Sequence, residues 1–119
     1  MKTKQLLRFY FYADGAERAI DNLITYIACS GCAAERAAER IIYLRDCKDR
    51  LSELWAYLDG VISRFGAERS FLLGYVSGER AGDEKALKRV LMRFRRRARG
   101  VERFGDALAL LSKYIVYCR

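Results

Sequence analysis

The 119-residue sequence predicts an all-α protein, a four- to five-helix bundle in a single domain over residues 1–119 with one long central helix. Three observations favour this fold. The chain contains no proline, a residue that interrupts helices. Its hydrophobic fraction of 52% is enough to bury a core. Apolar residues also recur at spacings of three and four along much of the chain, which is the spacing of a buried helix face.

The first elements are an aromatic segment and a helix. Residues 3–12, TKQLLRFYFY, form either a short helix or a brief strand, and the sequence leaves both open. Asp14 followed three residues later by Glu17 is typical of a capping box and predicts the start of the next helix. Gly31, within the motif CSGC, predicts the end of that helix.

Residues 33–65 show the clearest helical pattern, and a helix of this length is roughly 50 Å long. Either Gly60 breaks it or it forms the spine of the bundle. We expect its apolar stripe to pack within the chain, and a homodimer through the 41–65 helix is the alternative. The stripe consists of Leu44, Cys47, Leu51, Leu54, Leu58, Val61 and Phe65.

Three further helices are predicted. A short helix covers residues 67–77, and the loop GERAGD follows it. A basic helix covers residues 83–99, with Asp83 as its cap and Gly100 at its end. The apolar spacing of residues 101–118 predicts a last helix.

The net charge of +8 is concentrated in the last third of the chain. Residues 1–84 carry 12 Lys or Arg against 13 Asp or Glu, a net charge of −1. Residues 85–119 carry 11 against 2, a net charge of +9. Such an asymmetry indicates a polyanionic partner.

The basic helix is amphipathic, because its apolar residues share one arc of a helical wheel: Leu87, Val90, Leu91, Phe94 and Ala98. The opposite side carries no acid, so repulsion between its like charges is unrelieved. Arginine suits phosphates and guanine edges, and we expect this side to contact double-stranded DNA. An acidic protein, a membrane surface or a merely solvated face are the alternatives. The candidate nucleic-acid-binding residues are Lys85, Lys88, Arg89, Arg93, Arg95, Arg96, Arg97 and Arg99.

Residues 55–99 loosely resemble region 4 of sigma factors and small phage-associated regulators similar to it. The resemblance lies in Glu68, Arg69, Leu72, Leu73, Tyr75 and Gly78, and in the basic LKRVLMRFRRRAR that follows. It implies DNA binding and a role in transcription regulation. The family has a further helix between these two parts, and this chain has only ERAGDEKA there. The docking geometry of the family is therefore not carried over.

Catalytic chemistry is not indicated. The chain has no histidine, which is the usual general base and the commonest metal ligand. Cys29 and Cys32 form an isolated CSGC motif that we expect to be free or structural, with zinc binding and redox activity as alternatives. Cys47 and Cys118 lie on apolar stripes and are expected in the core. No cofactor or metal is expected.

The predicted function follows from these points. The N-terminal apolar stretch is interrupted by Arg8, unlike a signal peptide, and no segment approaches the length of a membrane span. We expect a cytoplasmic, non-enzymatic regulatory protein that binds nucleic acid through its arginine-rich helix. The alternative is a helical protein–protein interaction module of a bacterial or phage assembly.

Overall fold

The computed structural model describes residues 3–29, 31, 34–78, 84–105 and 108–109. Within these residues there are five α-helices, two short 3-10 segments and no strand, which confirms the all-α bundle with a long central helix. The α-helices are α1 (Thr3–Phe11), α2 (Ala13–Cys29), α3 (Ala34–Ile62), α4 (Arg69–Ser77) and α5 (Glu84–Arg97). The 3-10 segments are Ser63–Glu68 and Arg99–Phe104.

The chain passes from α1 to α2 through a single residue, Tyr12, whose amide donates to the carbonyl of Arg8 at 2.9 Å. The aromatic N-terminal segment is therefore a helix and not a strand. Asp14 lies inside the first turn of α2, so the predicted capping box with Glu17 is wrong. The reason is that the tight connection starts α2 at Ala13 and leaves Asp14 no position ahead of the helix.

The long helix α3 is the spine of the bundle and has a length of about 43 Å. Gly60 lies within α3 and does not break it. The chain bends six residues later, at Gly66, which has a φ of 57° inside the segment Ser63–Glu68. Glycine adopts this left-handed conformation at little cost, so the bend that leads into α4 falls there.

The apolar stripe of α3 is buried inside the single chain, as the spacing predicts, except that Ile62 takes the fully buried place expected for Val61. A homodimer that used this stripe as its seam would have to open the bundle. Burial of Cys47 raises the pKa of its thiol, as expected for a cysteine in the core. The buried members of the stripe are Leu44, Cys47, Leu51, Leu54, Leu58, Ile62 and Phe65.

The other helices surround different parts of α3. Helix α2 is joined to it by a short connection and packs along it as a hairpin. Helix α4 packs against α1 and α5, and α1 and α5 pack against α3. Helix α4 ends before Gly78, which has a φ of 82°. This arrangement holds α5 against the core by its apolar arc.

Helix α5 ends at Arg97, and the predicted end at Gly100 is wrong. The amide of Gly100 donates to the hydroxyl of Tyr57 at 3.0 Å, and the chain tightens into the 3-10 segment Arg99–Phe104. The predicted last α-helix therefore begins as a 3-10 turn. The structure does not describe residues 110–118 of this predicted helix. Also outside the described residues are the predicted cap Asp83, the loop residues 79–83, Cys32 and Cys118.

Candidate nucleic-acid interface

Helix α5 has the two faces that its sequence predicts. Phe94 is only 1% exposed, and Val90, Leu91 and Ala98 are also buried, so the apolar arc is anchored in the core. Leu87 is half-buried and packs against the same core. The cationic side chains therefore project from a helix whose orientation is fixed by its opposite face. This fixed display distinguishes them from the charges of a disordered basic tail.

Seven of the eight candidate residues are exposed, and Arg93 is half-buried. Arg93 donates through Nη1 to both carboxylate oxygens of Glu68, at 2.9 Å and 2.7 Å. Its guanidinium also lies 5.2 Å from the ring centroid of Phe65. The outer side of the basic helix carries no acid of its own, but the fold brings Glu68 to Arg93 from the end of the 3-10 segment Ser63–Glu68.

Two more arginines of the basic helix make contacts within the chain. The Nε of Arg95 donates to the hydroxyl of Thr3 at 2.9 Å. The guanidinium of Arg97 lies 5.5 Å from the ring centroid of Phe65, and its backbone carbonyl accepts a hydrogen bond from Tyr57 at 3.2 Å. Neither contact neutralises charge. Arg95 and Arg97 therefore stay cationic, with side chains that are partly oriented by the fold.

The remaining set is the basic face, which we define as Lys88, Arg89, Arg96 and Arg99. All four side chains are exposed, and none makes a hydrogen bond or ion pair with a residue that the structure describes. Lys88, Arg89 and Arg96 fall within an arc of about 100° on α5, opposite the buried side chains. Met92 lies among them and is 52% exposed. The basic face is thus a rigid cationic surface without internal counter-charges in the described part of the chain.

The fold adds two arginines that the sequence analysis did not name as site residues. Arg64 follows α3 and lines the same groove as Arg97. Arg103 lies in the 3-10 segment after α5, with its guanidinium 4.9 Å from the ring centroid of Tyr57. No sequence signal marks Arg64, because it lies in the charge-balanced part of the chain and meets Arg97 only through packing. Arg103 belongs to the positive C-terminal third, but its place beside α5 depends on the turn after Arg97.

A second cavity, of about 440 Å³, lies beside Trp55 and Tyr10, whose rings stack at 5.3 Å. Several of its polar groups make hydrogen bonds or ion pairs within the chain. The indole of Trp55 donates to the carbonyl of Tyr10 at 2.9 Å, and the hydroxyl of Tyr10 donates to Asp59 at 2.6 Å. Burial, followed by this bond to Asp59, raises the pKa of Tyr10. Arg69 lies over the rings of Tyr10 and Phe11, and Lys48 pairs with Asp21 at 2.9 Å. The cavity is therefore not our candidate site.

Metal chemistry finds no support within the described ranges. No group of three or more Cys, Asp or Glu side chains placed to hold a metal ion occurs there. Cys29 is exposed and Cys47 is buried, so the two described cysteines occupy different environments.

Comparison of the chain with models of known protein families, with curated proteins and with solved structures finds no match. The resemblance to region 4 of sigma factors therefore stays a prediction. A search of the described helices for a segment long and apolar enough to cross a lipid bilayer finds none.

Proposed function

We propose that the protein is a non-enzymatic regulatory protein that binds nucleic acid, with duplex DNA as the expected partner, through the basic face of α5. The observation that carries this proposal is the basic face itself: four exposed cations with no hydrogen-bond or ion-pair partner among the described residues. Three of them lie on a helix anchored by Val90, Leu91 and Phe94, and Arg99 begins the 3-10 segment directly after it. The mutual repulsion of these cations costs free energy in the unbound protein. A polyanion relieves that repulsion and releases its own counterions.

The geometry also favours a partner with repeated charges. Arg89 and Arg96 are two turns apart on α5, about 10.5 Å along the helix axis. Such a row fits a partner with several phosphates along one backbone better than a partner with one isolated carboxylate. Arginine adds a planar fork that fits phosphate oxygens, and three of the four residues in the basic face are arginines.

The test is the salt dependence of DNA binding, measured by fluorescence anisotropy on a labelled duplex between low and moderate salt. If all four residues of the basic face contact phosphates, log K falls against log salt with a slope of about −3.6. The variant with Arg89→Glu and Arg96→Glu removes two of these contacts, so the magnitude of the slope should fall by about 2. Its melting temperature should hold, since both side chains are exposed.

The matched control changes the same amount of charge elsewhere. Arg36→Glu with Arg45→Glu alters two exposed arginines of α3, outside the basic helix, and should leave the slope unchanged. Wild-type protein that shows no salt-dependent binding at micromolar concentration would overturn the proposal. An acidic protein partner would then be the better explanation of the basic face.

A second candidate function, a helical protein-interaction module, is favoured by one observation. Tyr26 of α2 and Ile42 of α3 are 71% and 60% exposed, and both belong to the α2–α3 hairpin. Scattered apolar side chains on a surface are common, so this observation is weaker than the basic face. The two candidate functions use different parts of the molecule, and variants of each part distinguish them.

A further inference from the structure

An open groove of about 780 Å³ runs between α3 and the end of α5. Its walls are Ala56, Tyr57, Gly60, Val61, Arg64 and Arg97. None of the described residues that line the groove is acidic. The groove therefore presents two guanidinium groups, from two different elements, over a floor that is otherwise small or apolar.

Arg64 and Arg97 are both exposed, and neither side chain forms an ion pair with any described residue. Arg97 is nevertheless positioned. Its guanidinium packs against the ring of Phe65, and the Tyr57 hydroxyl donates to its carbonyl. Tyr57 belongs to α3, so this bond holds the end of α5 beside the helix that leads to Arg64. Two like charges that line one groove without a carboxylate between them favour an anionic ligand.

Gly60 on the groove floor supports the same conclusion. It lies inside a long helix, where glycine is less favourable than alanine. A Cβ added at this position would meet nothing within 4 Å, so the packing of the protein does not require glycine there. Because Gly60 has no side chain, the groove stays open beside the two arginines. A glycine in such a place permits close approach of a ligand backbone.

We propose that this groove binds a sugar–phosphate segment of the same duplex DNA that the basic face contacts, with Arg64 and Arg97 as phosphate ligands. The inference rests on the proposed function and extends the interface from α5 to α3. Each guanidinium presents parallel N–H donors that match two phosphate oxygens. Gly60 leaves the space that the sugar–phosphate chain occupies. The interface then includes an arginine from the charge-balanced part of the sequence.

The decisive variant is Arg64→Gln, measured by the same anisotropy titration against salt. It removes one phosphate contact, so the magnitude of the slope should fall by about 1 from the wild-type value. Arg45→Gln is the matched control, because Arg45 is an equally exposed arginine of α3 away from the groove, and its slope should equal that of wild type.

A second variant fills the groove without changing charge. Gly60→Leu places a bulky side chain on the floor, and its dissociation constant should rise several-fold. Its melting temperature should not fall, since leucine favours a helix interior more than glycine does. Gly60→Ala, whose single methyl group leaves most of the groove open, serves as its control.

The outcomes separate the two proposals. If wild-type protein does not bind DNA, the proposed function fails and the groove proposal fails with it. If wild-type protein binds but Arg64→Gln keeps both its affinity and its slope, the groove proposal is overturned and the role of the basic face stands. A reduced slope in Arg64→Gln, with Arg45→Gln unchanged, supports the groove.

Discussion

The Tyr57 hydroxyl joins α3 to the end of α5 through two hydrogen bonds. It donates to the carbonyl of Arg97 at 3.2 Å and accepts from the amide of Gly100 at 3.0 Å. The close approach of the phenol leaves no room for a side chain at Gly100, where a Cβ would lie 2.5 Å from the hydroxyl oxygen. The contact between Tyr57 and Gly100 thus fixes the chain just after the end of α5. The bond to the carbonyl of Arg97 fixes the last residue of that helix beside α3.

Gly100→Ala should therefore destabilise the protein. The new methyl group displaces the Tyr57 phenol and breaks its hydrogen bonds, which join exposed or part-buried groups, at a cost of about 0.5–1.5 kcal/mol. Gly60→Ala is the control, because a methyl group there meets nothing and should be neutral or stabilising. Urea unfolding of both variants measures the difference. Equal stabilities for the two would contradict the role of Tyr57.

Arg93 shows why a residue's place on a helical wheel is not sufficient to assign a function. The wheel sets it on the outer, cationic side of α5, but its guanidinium is held by both carboxylate oxygens of Glu68. Its side chain is 41% exposed, so the pair contributes little beyond the modest value of a surface ion pair. Charge reversal at Arg93 would set two carboxylates against each other. Arg89 and Arg96 are therefore cleaner probes of binding.

At the scale of the helices, hydrophobic periodicity predicts those features that depend on the sequence of a single helix. The buried stripe of α3 and the two faces of α5 follow from the spacing of their own apolar residues. The features that sequence reasoning missed depend on contacts between elements. The bend falls at Gly66 and not at Gly60, and Asp14 is not a cap because α1 leads into α2 through one residue. Arg64 and Arg97 likewise line one groove only after the elements pack.

The burial of α3 gives a prediction for the spine. Leu51 and Leu58 are 3% and 0% exposed, so Leu51→Ala and Leu58→Ala should each cost roughly 2–5 kcal/mol through the lost contacts and the cavity that remains. Ile42→Ala, on the exposed side of the same helix, should stay within about 0.5 kcal/mol of wild type. Because the stripe packs within one chain, the losses should not depend on protein concentration. A strong concentration dependence would indicate a dimer seam instead.

The molecule measures 55 × 27 × 20 Å, and its surface features differ in character between the hairpin and α5. The α2–α3 hairpin carries exposed apolar side chains and the ion pair between Lys48 and Asp21. The cations of the basic face and of the groove beside α5 have no carboxylate partner among the described residues, whereas Arg93 pairs with Glu68. Since the cations of the hairpin are interspersed with acids, whereas the net positive charge lies in the last third of the chain, the hairpin is not expected to contact DNA.

This separation yields a prediction for the whole molecule. Tyr26→Glu with Ile42→Glu alters only exposed side chains of the hairpin, so stability should change by no more than about 1 kcal/mol. The affinity for duplex DNA should fall slightly, through the added negative charge, and the salt slope should stay at its wild-type value, since no phosphate contact is removed. Arg89→Glu with Arg96→Glu should instead reduce the magnitude of the salt slope, because it removes phosphate contacts. A hairpin variant that lowered the slope as much as the α5 variant would show that DNA contacts extend over both parts, and the confinement of binding to α5 and its groove would then be wrong.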